Sequence, residues 1–371
     1  KGQYFTKNLS LKKCVIDFIK NKPDIILEPS IGRGDLVDYI LMNMSVDFDM
    51  CEIDKNIKLL DSIDKNKLQY GDFMKIKFKK YDTIIGNPPY VKTKKGNLYI
   101  DFIEKCYNLL NDKGELIFIV PSDFFKLTSS NELLSDMISM GNFTHIYHPH
   151  KENLFENASI DVIVFRYCKD NTLEKTTIYN NEKKFLIESS GLITFSNEKI
   201  ILDKKLSDYF EISVGMVCGR ENVYRNKEIG NLDLLSGKDS YTKYIYIDKF
   251  PSDDIKINEH LLKNKDDLIN RRIRKFNENN WFEWGAPRNI NKMKKYKGQD
   301  CIYVKGISRS EKIAFIGKVD YFGGLIMMRP IKKCNLEKVV EYLNSDNFKK
   351  NFMYSGRFKI GQGQLCNSYF P

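Results

Sequence analysis

The sequence predicts an α/β protein, in which a mostly parallel sheet with one antiparallel strand precedes a second, α+β unit. Three observations carry this reading. Short apolar runs alternate with helical patterns through the first half, the turns after those runs carry glycines and carboxylates, and the charge balance changes near Lys205.

The strand candidates, in order, are Asp24–Leu27, Phe48–Ile53, a short run ending at Tyr70, Asp82–Ile85, Glu115–Val120, Phe143–Tyr147 and Ile160–Arg166. Between them lie helical patterns at Leu36–Met42, Ile57–Ile63, Tyr99–Leu110 and Glu132–Met140. Continuous apolar strands separated by helices predict a parallel sheet covered on both faces. No helical pattern separates the last two strands, so that pair is expected to be antiparallel. From about Thr176 the pattern loosens into short strands and polar loops, and the second part shows one clear helix at Leu336–Leu343. The predicted domains are residues 1–205 and 206–371.

With 42% hydrophobic and 13% aromatic residues among 371, the chain has the side chains for two packed cores and is neither disordered nor collagen-like. No apolar run approaches the ~18 residues of a membrane-spanning helix, and no signal peptide opens the chain. Its eight cysteines form no CxxC pair, which argues against a zinc site or a disulfide scaffold and for reduced thiols in the cytoplasm. The net charge of +11 is uneven: residues 1–207 hold 30 basic and 29 acidic side chains, residues 208–371 hold 30 and 20. Within 271–318 there are 13 basic and four acidic residues. Such an excess suits a polyanion, and nucleic acid is the expected partner. The Arg271-Arg272-Ile273-Arg274-Lys275 run is the candidate phosphate contact.

The first strand runs into Glu28-Pro29-Ser30-Ile31-Gly32-Arg33-Gly34-Asp35, where glycines admit a ligand close to the backbone at a helix N-terminus. The second ends in Cys51-Glu52-Ile53-Asp54, the position from which a doubly wound sheet grips ribose hydroxyls. The third ends in Tyr70-Gly71-Asp72-Phe73, a carboxylate beside a ring. Three successive carboxylate-bearing strand ends point to one nucleoside lying across the sheet edge. The fourth strand ends in Ile85-Gly86-Asn87-Pro88-Pro89-Tyr90. Two prolines stiffen the loop and remove two donors, leaving carbonyls to accept. Asn87 adds an acceptor and Tyr90 a flat face. That combination suits a planar ring bearing an exocyclic amino group.

Gly2-Gln3-Tyr4-Phe5-Thr6, Glu28–Asp35, Cys51–Asp54, Gly71–Phe73 and Asn87–Tyr90 stand in the order of motifs X, I, II, III and IV of a known family. The chain resembles the gamma-class (TaqI-like) S-adenosylmethionine-dependent adenine-N6 DNA methyltransferases of the type II restriction–modification kind. The segment from Leu154-Phe155-Glu156-Asn157-Ala158-Ser159 to Arg166 resembles motif VIII, so the likeness covers about residues 1–168. It continues more weakly at Val214–Gly219 and Phe282–Gly285.

The resemblance implies a Rossmann-like methyltransferase sheet in the first domain, a target-recognition domain in the second, S-adenosylmethionine as cofactor and duplex DNA as substrate. It assigns the methionine end of the cofactor to Thr6, Glu28, Pro29, Ser30 and Ile31, with Gly32 beside them. Glu52 would take the ribose hydroxyls, Ile53 and Phe73 would flank the adenine, and Asp72 would accept from its amino group. Asn87, Pro88, Pro89 and Tyr90 form the catalytic loop, with Pro89 on the cofactor side. Phe155 would face Tyr90 across a flipped target base. Acceptance of the amine hydrogens by Asn87 and the Pro88 carbonyl would localise the nitrogen lone pair for direct in-line attack on the methyl group.

Action as a monomer on DNA, no metal, no membrane, and a separate cognate restriction endonuclease go with this reading. The alternatives are a glutamine or RNA methyltransferase with the same Asn-Pro-Pro-Tyr chemistry, and a non-catalytic DNA-specificity subunit. His148-Pro149-His150 lacks partners at metal-ligand spacing and reads as a strand-end turn. Phe124, Phe125, Trp281 and Trp284 read as core, and no nuclease signature is found.

Overall fold

The computed structural model describes residues 5–93, 96–156, 159–200 and 204–371. Gly2, Gln3 and Tyr4 of the first motif, and Asn157 and Ala158 of the last, lie outside the described residues. The chain divides into two units, Lys1–Asp203 with Met353–Gly356, and Lys204–Phe352 with Arg357–Pro371. The division falls two residues before the expected one. A short return segment of the second half joins the first unit, where the Ser355 N–H donates to Asp161 Oδ2 at 3.1 Å.

The first unit is built on ten strands: β1 (Ile25–Glu28), β2 (Asp47–Glu52), β3 (Leu68–Tyr70), β4 (Tyr81–Gly86), β5 (Leu110–Pro121), β6 (Asn142–Tyr147), β7 (Val162–Cys168), β8 (Thr176–Tyr179), β9 (Glu182–Ser189) and β10 (Leu192–Ser196). Their order in the sheet is β10-β9-β8-β6-β7-β5-β4-β1-β2-β3. Strands β1 to β5 are mutually parallel, and β7 lies antiparallel between β5 and β6. This is the Rossmann-like, mostly parallel sheet that the sequence predicts. The chain leaves β1 toward β2 on one side and enters β4 on the other, so the switch point lies between β1 and β4, where such sheets bind ligands.

Two expectations are corrected. The short strands after Thr176 extend the main sheet, β8 pairing parallel to β6, and β9 is a second antiparallel strand. The segment expected as a helix at Ile57–Ile63 is irregular, with a single turn at 61–62. Its apolar residues have helical spacing, but the Leu60 N–H donates to Arg33 O at 3.0 Å and Ser62 Oγ to Asp38 at 2.5 Å. A tertiary partner thus takes a backbone donor that a local helix would have used, and a second contact holds the neighbouring side chain.

Among the described residues, four α-helices pack on the sheet: α1 (Leu9–Phe18), α2 (Asp35–Leu41), α3 (Leu98–Asn108) and α4 (Asn131–Met140). Along β5, Leu116, Phe118 and Val120 pack in the core with Ile103 of α3 and Leu134 of α4, while Ile117 and Ile119 pack with Leu11, Val15 and Val37 of α1 and α2. The period of two buries both faces, and each such side chain stabilises by ~1.5–3 kcal/mol. Helix α1 is fixed at both ends. Asn8 Oδ1 accepts from Ser10 and Leu11 N–H, and the buried Glu115 carboxylate accepts from Lys20 and Asn21 N–H just beyond its end.

The second unit holds a four-stranded antiparallel sheet, in the order Phe210–Val214, Leu325–Pro330, Asp300–Lys305, Ala314–Lys318, with a separate hairpin at Leu232–Gly237 and Ser240–Tyr244. Helix Leu336–Asn344, capped by Asn335, turns Val339 and Leu343 inward at i, i+4.

Candidate active site

The site grows from three strand ends and the segment before α1. After Glu28 the chain turns into α2 through Gly34, which caps the helix at φ +95°, and where a Cβ would lie 2.6 Å from the Ile63 side chain. Only glycine suits both the conformation and the space. The Glu52 carboxylate ties two turns together, accepting from Gly32 N–H at 2.9 Å and Asp54 N–H at 2.8 Å. Glu28 is 2% exposed, and Oε1 accepts from Ser30 N–H at 3.1 Å. Burial holds its carboxyl well above the usual carboxylate range; the Ser30 N–H opposes this and the nearby Glu52 charge adds to it.

These turns enclose a cleft of about 880 Å³, its open mouth included. Thr6, Glu28, Pro29, Ser30, Ile31, Gly32, Glu52, Ile53, Asp72, Phe73 and Pro89 all line it, and Asn87 reaches it from the fourth strand end. Sequence reasoning missed Phe5, Asp35, Leu98 and Phe102, which line it too. The first two stand inside motifs it had quoted. Leu98 and Phe102 were findable only as one face of α3, because helical spacing alone reads as core.

In the Asn87–Tyr90 loop the amide of Asn87 is held on both sides. Its Nδ2 donates to Thr6 Oγ1 at 3.0 Å, and its Oδ1 accepts from the Tyr90 hydroxyl at 2.6 Å. The Tyr90 hydroxyl also lies 3.0 Å from Ile119 O. Thr6, expected at the cofactor's methionine end, thus also touches the Asn87–Tyr90 loop, next to the anchored start of α1. The expected face-to-face pair of Tyr90 and Phe155 takes a different form. Their centroids are 6.3 Å apart with planes at 76°, and Phe155 is 5% exposed. A planar base between parallel rings needs roughly 7 Å from plane to plane. The Tyr90 hydroxyl bonds fix its ring edge-on to Phe155, so a base enters between them only if one ring turns.

The histidine pair set aside as a turn has a structural place. His148 lies buried with Nε2 2.9 Å from Asp161 Oδ1 and Nδ1 3.0 Å from the Tyr179 hydroxyl, and Asp161 also accepts from Ser122 Oγ at 2.8 Å.

In the second unit the proposed phosphate run divides. Arg271 is corrected: it is buried, and its guanidinium donates to the carbonyls of Leu268, Cys218, Trp281 and Glu283 at 2.7–2.8 Å. It staples three segments of the core and has no face left for a phosphate. Arg274 pairs with Glu283 at 2.5 Å and donates to Trp284 O at 3.1 Å. Arg272 and Lys275 are exposed. Trp281 and Trp284 are 3% and 2% exposed core residues.

Residues 37–155 match the family model described as Eco57I restriction-modification methylase. The type II methyltransferase M.HincII of Haemophilus influenzae is 31% identical over 223 residues, covering 52% of this chain and 42% of that protein. The modification methylase CviBIII of Paramecium bursaria Chlorella virus NC1A is 24% identical over 312 residues, covering 74% of this chain and 71% of that protein. The ribosomal RNA small subunit methyltransferase A of Mycoplasma genitalium is 34% identical over 99 residues, or 24% of this chain and 38% of that protein. The chain therefore spans about two fifths of the length of M.HincII. The likeness to restriction–modification methyltransferases read from the motifs is the likeness found by comparison.

S-adenosylmethionine is the cofactor that goes with this likeness, and the cleft fits it. At one end Glu28 and Ser30 bring polar groups to the cleft, the Ser30 N–H donating to Glu28 Oε1 at 3.1 Å. Glu52 stands between, and at the other end Ile53 (67% exposed) and the buried Phe73 offer apolar flanks for a flat ring. Among the described residues no helix is long and apolar enough to cross a membrane.

Proposed function

We propose that this chain forms the catalytic and target-recognition parts of a restriction–modification DNA methyltransferase, which methylates the exocyclic amino group (N6) of an adenine flipped out of the duplex. The observation that carries the reading is the Asn87–Tyr90 loop, held at the rim of a cleft lined by every residue assigned to the cofactor.

When bound, S-adenosylmethionine supplies an electrophilic methyl group. The chain's own residues prepare the nucleophile. Adenine's amino lone pair is delocalised into the ring, so the nitrogen is nearly planar and weakly nucleophilic. Asn87 Oδ1 and the Pro88 carbonyl accept its two hydrogens, draw the nitrogen toward tetrahedral geometry and localise the pair. Thr6 fixes the amide so that oxygen, rather than nitrogen, faces the base. One Oδ1 lone pair already accepts from Tyr90, so the incoming amine needs the other or displaces the hydroxyl. Once methylated, the nitrogen is strongly acidic and releases its proton to water, so no strong base is required. Extruding the base costs a few kcal/mol, and stacking on Tyr90 returns ~1–3 kcal/mol.

The unit from Lys204 onward is read as the target-recognition domain, whose excess positive charge supplies the phosphate affinity. Action as a monomer in the cytoplasm, beside a separate endonuclease, goes with this reading. The 99-residue match to a ribosomal RNA methyltransferase makes RNA the second substrate class to test. Methyl transfer from labelled cofactor to random duplex DNA, structured RNA and protein separates them. N6-methyladenine in DNA at one sequence is expected. Label in RNA or in glutamine overturns the reading, and cofactor binding without product on any DNA points to a specificity subunit.

A further inference from the structure

The third helix carries a residue that the cofactor reading does not use. Helix α3 presents Leu98 and Phe102 to the cleft, and Lys105 follows one turn later on the same side. The Lys105 ammonium donates to the carbonyl of Phe73 and, at 2.7 Å, to that of Ile76. It also stands 4.5 Å from the centroid of the Phe73 ring, which Phe102 and Phe78 flank at 5.1 and 5.5 Å. The segment it grips is a single turn. Asp72 Oδ1 accepts from Met74 N–H at 3.0 Å, and Asp72 O accepts from the N–H groups of Lys75 and Ile76 at 2.9 and 3.1 Å. Such a turn leaves carbonyls at its far end that no further helix satisfies, and a cation there is favourable. Burial lowers the Lys105 pKa, a cost that the two carbonyls and the ring offset.

We propose that Lys105 is a positioning residue for the adenine end of the cofactor: it clips the 72–76 turn so that Asp72 and Phe73 face the ring. The inference rests on the cleft being the S-adenosylmethionine site. The physical case is one of degrees of freedom. Asp72 and Phe73 follow a three-residue edge strand, β3, which has a neighbour on one side only. The Gly71 N–H, which donates to Glu52 O at 2.8 Å, and the buried Phe73 ring hold the start of the turn, and Lys105 holds its far end at Ile76 O. A carboxylate meant to accept from one amino group needs such close placement. Lysine suits the position because its three rotatable donors reach two carbonyls while the charge sits over a ring.

The test is calorimetric titration of the full chain with S-adenosylhomocysteine and with its inosine counterpart, which has a carbonyl where adenine has the amino group. The unsubstituted chain is expected to prefer the adenosine ligand. Lys105→Met, which keeps the stem and loses the donors, is expected to weaken adenosine-ligand binding by roughly tenfold or more and to lose most of the preference, with unchanged affinity for DNA. Lys105→Arg keeps the charge but meets the two carbonyls less well, and is expected to fall between. Thermal melts establish that each variant is folded. Equal affinity and equal preference in either folded variant overturn the inference alone. No binding of either ligand by the unsubstituted chain overturns the cofactor reading, and the inference with it.

Discussion

The two units use charge in opposite ways. The first is almost neutral, with 30 basic and 29 acidic residues to position 207, yet its buried carboxylates Glu28 and Glu52 shape the cleft. The second carries nearly all of the net charge, yet its most conspicuous arginine, Arg271, lies inside, bonded to four carbonyls. A small net charge does not mean an idle polar set, and a basic run does not mean a basic surface. A charged side chain enters a core only when every polar atom finds a partner. Glu52 and Arg271 meet that condition through backbone groups, which composition does not display. Glu28, with one backbone donor on Oε1, is instead held toward its neutral acid.

The sharpest way to break this comparison is Arg271→Ala. If the residue is a staple, the change leaves four buried carbonyls without their donor and destabilises the second unit by about 3–5 kcal/mol. Denaturant unfolding should show the loss, and a wild-type midpoint would return Arg271 to the phosphate-binding candidates. In the first unit the corresponding test is Asn87→Ala. It should lower the methyl-transfer rate by roughly 10²–10³-fold, while cofactor affinity stays within a few-fold, if the side chain is the proposed acceptor for the target amine. Near-normal turnover would remove Asn87 from the chemistry.

Glu28→Gln sharpens the contrast from the side of stability. Burial raises the Glu28 pKa above its unfolded value. Folding therefore favours the protonated acid, and this contribution is complete below the unfolded pKa and lost as pH rises through the folded one. The neutral amide keeps an acceptor for Ser30 N–H, so the variant should melt higher than wild type at neutral pH in the absence of cofactor. The gap should close as pH falls toward the ordinary carboxylate pKa. An equal or lower melting temperature at neutral pH would contradict a buried, reluctant charge. The smallest effect is expected from Arg272→Ala with Lys275→Ala. Both side chains are exposed, and if both meet phosphates the slope of log affinity against log salt should flatten by about 2 with the preferred DNA sequence unchanged. An unaltered slope would place the phosphate contacts elsewhere on the second unit.

Much of the sheet was legible because its signals are local. The apolar runs became β1, β2 and β4 to β7 within a few residues, since a strand buried on both faces must be continuously apolar. The strand-end carboxylates and the Asn-Pro-Pro-Tyr loop were legible for a similar reason: each sits where the chain leaves a strand, and strand order sets the edge they share. What failed was non-local. Ile57–Ile63 has helical spacing, but Arg33 O and Asp38 take its hydrogen-bonding groups from across the fold.

The sequence by itself therefore determined the α/β architecture and the strand-end turns that supply much of the cleft, because spacing, proline and glycine act through the backbone over a few residues. The α3 face of the cleft, Leu98 and Phe102, was not legible in it. Tertiary structure alone decided that Thr6 and Tyr90 clasp the two sides of the Asn87 amide, that Phe155 meets Tyr90 edge-on, that Lys105 grips the Phe73 turn and that Arg271 is buried. Each of these pairs residues of different segments, or of one segment in an orientation fixed by another. Such contacts depend on where the chain closes its loops rather than on which residues stand side by side in it.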